Sequence, residues 1–220
     1  MLEKMSDFFE ARLGSYDEHM RNDIAYATEF YPFTAMQLPT KGDSCVLDLG
    51  CGTGLELEEY YKICPTAQVT GIDLSAGMLD ALKKKFPDKV MNLITGSYFD
   101  LPLGKAEFDA AVSVESLHHF TKAEKLPLYA KLYAALKKDG YFILTDYFAM
   151  SDAEEKMHRQ ALIDLKAEQG ISDDAFYHND TPLTVEHETE ALLKAGFASV
   201  VVLGSWGATY TLKATKHEEN

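Results

Sequence analysis

Between Val46 and Gly54 the chain reads Val-Leu-Asp-Leu-Gly-Cys-Gly-Thr-Gly, with glycines at 50, 52 and 54 and a carboxylate, Asp48, two residues before the first of them. Glycines lack a Cβ, so a turn made of them lets a ligand approach the backbone closely. A second acid, Asp73, ends the run Gly71-Ile-Asp-Leu-Ser75, 19 residues after Gly54. A carboxylate in that place can accept the hydroxyls of a ribose. The dinucleotide fingerprint spaces its small residues G-x-G-x-x-G/A. Here the spacing is G-x-G-x-G, and the third small position of that fingerprint holds Leu55. A carboxylate at 48 opposes a pyrophosphate and suits a cation. The ligand class is therefore a nucleoside that carries positive charge and no pyrophosphate, which disfavours a nicotinamide dehydrogenase.

A second group of reactive residues follows two later apolar runs: Glu115, His118 and His119 after the first, Asp146 and Tyr147 after the second. Imidazoles titrate near neutrality, and carboxylates and histidines are the usual proton-transfer groups. Glu115 with Asp146 could seat a divalent cation, but the sequence offers no third ligand, so no metal is expected. Only three arginines occur, Arg12, Arg21 and Arg159. Recognition of several phosphates favours bidentate guanidinium clamps, so a weakly charged or cationic substrate is favoured.

These residues need a scaffold that brings strand ends together. The pattern supplies one. Strand-like runs at Cys45–Leu49, Gln68–Ile72, Val90–Ile94, Phe108–Val114 and Tyr141–Thr145 alternate with helical spacing. The first helix is Leu55 to Ile63; the second has Ser75 as N-cap, then Met78, Leu79, Leu82 and Phe86 at helix period. A third starts at the capping-box pair Thr121 and Glu124, takes Pro127 into its first turn and runs to Lys138, stopping at Asp139-Gly140. Repeated β-α-β units imply a parallel sheet with helices on both faces. Later come a helix over Ser151–Gln169, an irregular stretch 170–183, and a helix over about Val185–Lys194. The runs Ser199–Leu203 and Thr209–Ala214 close the chain as a hairpin, which places an antiparallel strand at the end of the sheet. The fold class is α/β, a Rossmann-like doubly wound sheet with helical lid segments. One domain, 1–220, is expected, with residues 1–40 as a helical cap and 151–183 as a helical insertion, the two together forming a lid.

Composition agrees. Acidic residues number 35 against 21 basic ones, for a net charge of −14. Such a surface repels a phosphate backbone, whose binding depends on Lys and Arg, so nucleic acid is not an expected partner. Cys45, Cys51 and Cys64 are an odd set without metal-ligand spacing and read as buried thiols. Met1 to Ala11 holds four charged residues and no signal-peptide core, and no window approaches the roughly 20 apolar residues of a membrane helix. A soluble cytoplasmic protein, away from membranes and monomeric or homodimeric, is expected.

The four runs V-L-D-L-G-C-G-T-G, G-I-D-L-S, F-D-A-A-V-S-V-E-S-L-H-H-F and L-K-K-D-G-Y-F-I-L-T-D together resemble the class I S-adenosylmethionine-dependent methyltransferases of the small-molecule type. The resemblance covers about 42–148 and the terminal hairpin. It implies S-adenosyl-L-methionine as cofactor and a small-molecule methyl acceptor. By motif, Asp48 and the turn Gly50, Cys51, Gly52 and Gly54 would face the methionyl part, and Asp73 the ribose. Leu74 and Met78 would pack on adenine. Ser97, which stands where the family usually has an acid, and Tyr98 would meet the adenine amino group, and Val114 at the fourth strand's end would complete the site. His119, His118 and Asp146 would be catalytic, with Tyr16 closing over the cofactor. The alternative is a binding protein for S-adenosylmethionine or S-adenosylhomocysteine that has no transfer activity. A further rival makes a carboxylated cofactor; that would need an arginine near the sulfonium, and no arginine follows a core strand.

Overall fold

The computed structural model describes residues 1–172 and 175–217. The single-domain span and the 151–183 insertion thus include residues 218–220 and 173–174, which lie outside the described residues. Seven strands form one sheet: β1 (Cys45–Leu49), β2 (Gln68–Asp73), β3 (Met91–Thr95), β4 (Phe108–Val114), β5 (Leu136–Tyr147), β6 (Ser199–Trp206) and β7 (Thr209–Thr215). Their order is β3-β2-β1-β4-β5-β7-β6. All pairs from β3 to β5 are parallel, and β7 runs antiparallel to both its neighbours. The Rossmann-like doubly wound sheet with its antiparallel C-terminal strand is the architecture that the alternating runs predict. The order reverses between β1 and β4, and in such sheets a crevice opens outside the carboxyl ends of the strands at that point.

The helices are α1 (Met5–Arg12), α2 (Tyr16–Asn22), α3 (Ala27–Met36), α4 (Leu55–Ile63), α5 (Ala76–Lys85), α6 (Lys122–Ala135), α7 (Asp152–Gln169) and α8 (Val185–Lys194). Their starts follow local chemistry. The Ser75 side chain accepts from Met78 N–H, Thr121 and Glu124 close a reciprocal capping box, and Ser151 accepts from Glu154 N–H. Among the described residues all three cysteines are free, Cys45 half-buried and the other two buried, and no helix is long and apolar enough to cross a membrane.

Three expectations need correction. Helix α6 ends at Ala135 rather than Lys138, because buried Leu136 leaves it to pair with Phe108 in the sheet. Pro127 sits inside α6 rather than in its first turn, so the helix gives up the bond a backbone N–H would make there. The third strand starts at Met91; Val90 is left exposed. The 1–40 cap also divides in two. Phe30 and Ala35 of α3 are fully buried, and Thr34 Oγ1 joins Thr145 Oγ1 at 2.5 Å, which in turn meets Thr211 Oγ1 at 2.8 Å. Helix α3 is core, and only α1 and α2 lie over the crevice.

Candidate active site

The turn after β1 is held open by backbone geometry. Gly50, Gly52 and Gly54 have φ of 76°, 47° and 75°, the left-handed region that only glycine adopts without strain. A Cβ on Gly50 would run into Ser116 Oγ, and one on Gly54 into Leu82. Asp73 locks this turn to the end of β2: its Oδ2 accepts Gly52 N–H and its Oδ1 accepts Ser75 N–H, both at 2.9 Å. A narrow crevice of about 40 Å³ lies in front of it, lined by Gly50, Gly52, Asp73, Leu74, Met78 and Tyr98. The structure thus gathers six of the eleven residues expected to hold the cofactor. Met5 and Phe9 of α1 and Tyr16 of α2 form its outer wall.

The other five stand elsewhere, each for a packing reason. Asp48 lies behind the turn, wholly buried. Among the described residues no N–H or hydroxyl reaches either of its carboxylate oxygens, nor Oε1 of buried Glu56, and the two carboxyls face each other. Burial first, and then the neighbouring Glu56 carboxylate, push Asp48 well above the ordinary range, so this spot calls for a shared proton or a cation. Cys51 points into the core, its Sγ 2.7 Å from where a Cβ on Gly71 would stand. Gly54 begins α4. Val114 packs in the core with Val112 and Ile143. Ser97 faces a groove that adjoins the crevice through Met5, Leu74 and His119, and its Oγ accepts Phe99 N–H.

Beside the crevice opens a much larger cavity of about 1020 Å³. Phe9, Tyr16, Glu115 and His119 line both spaces and so mark their junction. One end of the cavity is aromatic, with Tyr26 and Trp206; the other is a cluster of imidazoles and carboxylates. At that polar end Asp146 is buried and fully engaged. Its Oδ2 accepts Leu117 N–H at 2.9 Å, and its Oδ1 accepts Tyr147 N–H at 3.0 Å and meets His118 Nδ1 at 2.5 Å. His118 is thereby fixed with Nε2 3.6 Å from Asp180 Oδ1, and His119 Nδ1 lies 3.2 Å from the same oxygen.

The electrostatics follow from burial and these neighbours. Burial presses His118 toward neutrality, yet Asp146, with Glu115 and Asp180, outweighs it and lifts His118 to about 9. Burial and the adjacent His118 charge bring His119 down to about 4. Glu115 is pushed up to about 7, chiefly by burial, with His118 opposing. Glu115 also holds φ at 49°, a conformation uncommon for a non-glycine residue and one that concentrates at functional sites. His119, His118, Asp146 and Tyr16 thus converge around one cavity. Asp180 and Ser116 complete the picture and carry no local sequence signal: Asp180 lies in the irregular stretch after α7, and Ser116 fills the space beside Gly50. Arg12 is on the cavity wall, but its guanidinium is bonded to Glu3 at 3.1 Å and stacked 3.7 Å over Phe8.

Helices α1 and α2 are fastened to the cofactor side. Glu10 accepts from Ser75 Oγ at 2.6 Å and from Gly77 N–H at 3.2 Å, at the start of α5. Asp17 accepts from Thr53 Oγ1 in the glycine turn and pairs with Lys85 at 2.6 Å.

Comparison with known proteins agrees with this geometry. Residues 46–140 match the methyltransferase domain family. A carboxy-S-adenosyl-L-methionine synthase of Wolinella succinogenes is 29% identical, over 99% of this chain and 96% of its own length. A 2-phytyl-1,4-naphtoquinone methyltransferase of a Nostoc species is 27% identical, over 72% and 73%. The fold is shared with human N-acetylserotonin methyltransferase solved with its cofactor, at a TM-score of 0.63, 16% identity, 88% of this chain and 53% of that one.

Proposed function

From the premise that this chain is a class I S-adenosylmethionine-dependent methyltransferase, we propose that it methylates a small molecule held in the cavity beside the glycine turn. The observation that carries this reading is the junction: Tyr16, Glu115 and His119 line the crevice and the cavity together. A methyl donor admitted to the crevice, whose present 40 Å³ must widen by displacement of the α1 wall of Met5 and Phe9, would meet an acceptor in the cavity there.

The crevice suits the cofactor. Glycines that tolerate no Cβ, Asp73 facing the opening, and the apolar pair Leu74 and Met78 fit a nucleoside. The buried Asp48 and Glu56 carboxyls behind the turn add negative potential on the side where a cationic amino acid part would lie. When bound, the cofactor supplies a methyl group already activated by a sulfonium, so the chain's task is chiefly to position an in-line attack. Asp146 orients His118; His118, His119 and Glu115 form the polar end where the acceptor's nucleophilic atom docks; Tyr16 and Phe9 exclude water. The carboxylates at this end, and an arginine already committed to Glu3, favour a weakly charged or cationic acceptor over an anionic one.

The full-length similarity to carboxy-S-adenosyl-L-methionine synthases favours a second reading, in which the cofactor itself gains a carboxyl group. A carboxylate beside the sulfonium wants a cationic partner, and the cavity's arginine is engaged elsewhere. One experiment separates the two. The protein is incubated with methyl-labelled S-adenosylmethionine and a small-molecule extract, and both products are weighed by mass spectrometry. Label in a low-mass acceptor together with S-adenosylhomocysteine is expected. A carboxylated cofactor, or cofactor bound and returned unchanged, would overturn the methyl-transfer reading.

A further inference from the structure

We propose that His118 Nε2, His119 Nδ1 and Asp180 Oδ1 bind a divalent first-row transition metal ion, which presents its open positions to the cavity. This builds on the reading of the cavity as the acceptor site. These three side chains come together from the loop after β4 and from the stretch after α7, and their ligand atoms lie within 4.8 Å of one another. Nitrogen and oxygen ligands sit about 2.0–2.2 Å from such an ion, which sets neighbouring ligands roughly 3.0–3.5 Å apart. Asp180 Oδ1 is 3.2 Å from His119 Nδ1 and 3.6 Å from His118 Nε2. The two Asp180 contacts need close by at most a few tenths of an ångström, and His119 Nδ1, also 3.3 Å from the Asn179 carbonyl oxygen, would exchange that contact for the ion.

An independent feature points the same way. A metal-binding histidine almost always gives its other ring nitrogen to a carboxylate or carbonyl, which fixes the ring and its tautomer. His118 Nδ1 is held by Asp146, whose oxygens are further anchored by the Leu117 and Tyr147 amides. Asp146 is 1% exposed and fully engaged, so it serves as the orienting group rather than as a ligand. That distinguishes the proposed set from the neighbouring combination of Glu115, His118 and Asp146, which would take Asp146 away from its amides. Two imidazoles and one carboxylate select manganese, iron, cobalt, nickel or zinc over magnesium or calcium. The two rings are buried and Asp180 is at the cavity wall, so exchangeable positions face the acceptor. A substrate with two adjacent oxygens, such as a hydroxyl beside a carbonyl, is the class that such an ion would hold.

Cobalt(II) is the probe. Chelator-treated full-length protein is titrated with cobalt chloride in the absence of S-adenosylmethionine, and visible absorption is followed. One equivalent should bind with bands of an imidazole–carboxylate site. Asp180→Asn and His119→Gln should each weaken binding at least 100-fold, and Asp146→Asn by about 10–100-fold. Asp180 is the most exposed of the set, so D180N keeps the test open if the buried variants fail to fold. Absence of saturable absorption in the wild type, or equal affinity in wild type and a folded D180N, would overturn the metal site. Cobalt binding without any methyl transfer would sink the transfer reading and leave the metal site standing; transfer without cobalt binding would do the reverse.

Discussion

The crevice at the end of β1 is built around a glycine turn whose backbone sets its floor, whereas the cavity at the ends of β4 and β5 is formed by side chains from separate segments. In the crevice, left-handed glycines and two amide bonds to Asp73 set the form. In the cavity, residues from α1, α2, the loop after β4, the stretch after α7 and the β6–β7 hairpin meet. A backbone cradle recognises what is common to every turnover and leaves little to adjust. A wall assembled from several separate segments can change its guest by changing one side chain at a time. On the proposed reading, the donor half is thus fixed by conformation and the acceptor half by composition.

The sharpest way to break this comparison is to add one carbon to the cradle. Gly50→Ala puts a Cβ against Ser116 at a φ of 76°, where an L-residue costs about 1–2 kcal/mol before any clash. Affinity for S-adenosylmethionine should fall by at least about 100-fold, roughly 2.7 kcal/mol, measured by calorimetry on protein shown to be folded. Gly170→Ala is the control: its φ is 62°, but nothing lies within 4 Å of the new Cβ. It carries the strain without touching the crevice, so its cofactor affinity should equal that of wild type. Equal losses in both variants would mean that general destabilisation, not the clash with Ser116 inside the turn, lowers the affinity.

A second test acts on the boundary between the halves. Helices α1 and α2 supply Phe9 and Tyr16 to both spaces, whereas α3 belongs to the core. Removing residues 1–25, and so stopping short of α3, should leave a cooperatively folding sheet and abolish methyl transfer by opening the junction to water. Circular dichroism and turnover read the two effects separately. Full turnover in the shortened protein would show that α1 and α2 do not close the site. Removal of 1–30 is the wrong cut, since Phe30 is fully buried and its loss would unfold the core for reasons unrelated to the site.

The same division explains what the sequence reveals. The glycine turn, the second acid and the helix caps are local patterns, because each works through neighbours within a few residues. Hence β1, Asp73, Ser75 and Thr121 could be placed from the sequence alone. His118 and His119 were legible because they follow a strand end, and Asp146 because it closes an apolar run, although β5 continues through it to Tyr147. Asp180, Glu10 and Ser116 were not, since each acquires its role only when distant segments meet: Glu10 lies 65 residues from the Ser75 hydroxyl it accepts from. Ser97 and Val114 were proposed from position along the chain; the structure puts Ser97 in an adjoining groove and Val114 in the core. Leu136 shows why the end of α6 was misjudged, for a helix-like run was drawn into the sheet by its pairing with Phe108.

The smallest expected effect lies in the clasp that holds the acceptor half together. Glu155 of α7 accepts Thr184 N–H at the start of α8 at 2.9 Å, meets His187 Nδ1 at 2.7 Å and accepts from Arg159 at 2.7 Å. Burial raises its carboxyl, but the His187 bond, the Thr184 amide and the Arg159 charge outweigh burial and hold it below the ordinary range. A carboxyl lowered by folding stabilises the folded state above its unfolded value, about 4.3 for glutamate. That contribution is lost as pH falls through the folded value. Glu155→Gln keeps the shape and removes the charge, so it should lower Tm at pH 7 by about 2–4 °C, the shift that roughly 1 kcal/mol gives a chain of this size. The gap to wild type should narrow as pH is taken below about 4.3, where the wild-type carboxyl also becomes protonated. Because the clasp lies in the acceptor half, S-adenosylmethionine affinity should stay unchanged, while proteolysis between α7 and α8 should quicken. A Tm gap that persists undiminished in acid would assign the loss to altered packing rather than to charge. A matching loss of cofactor affinity would show that the two halves are not separable.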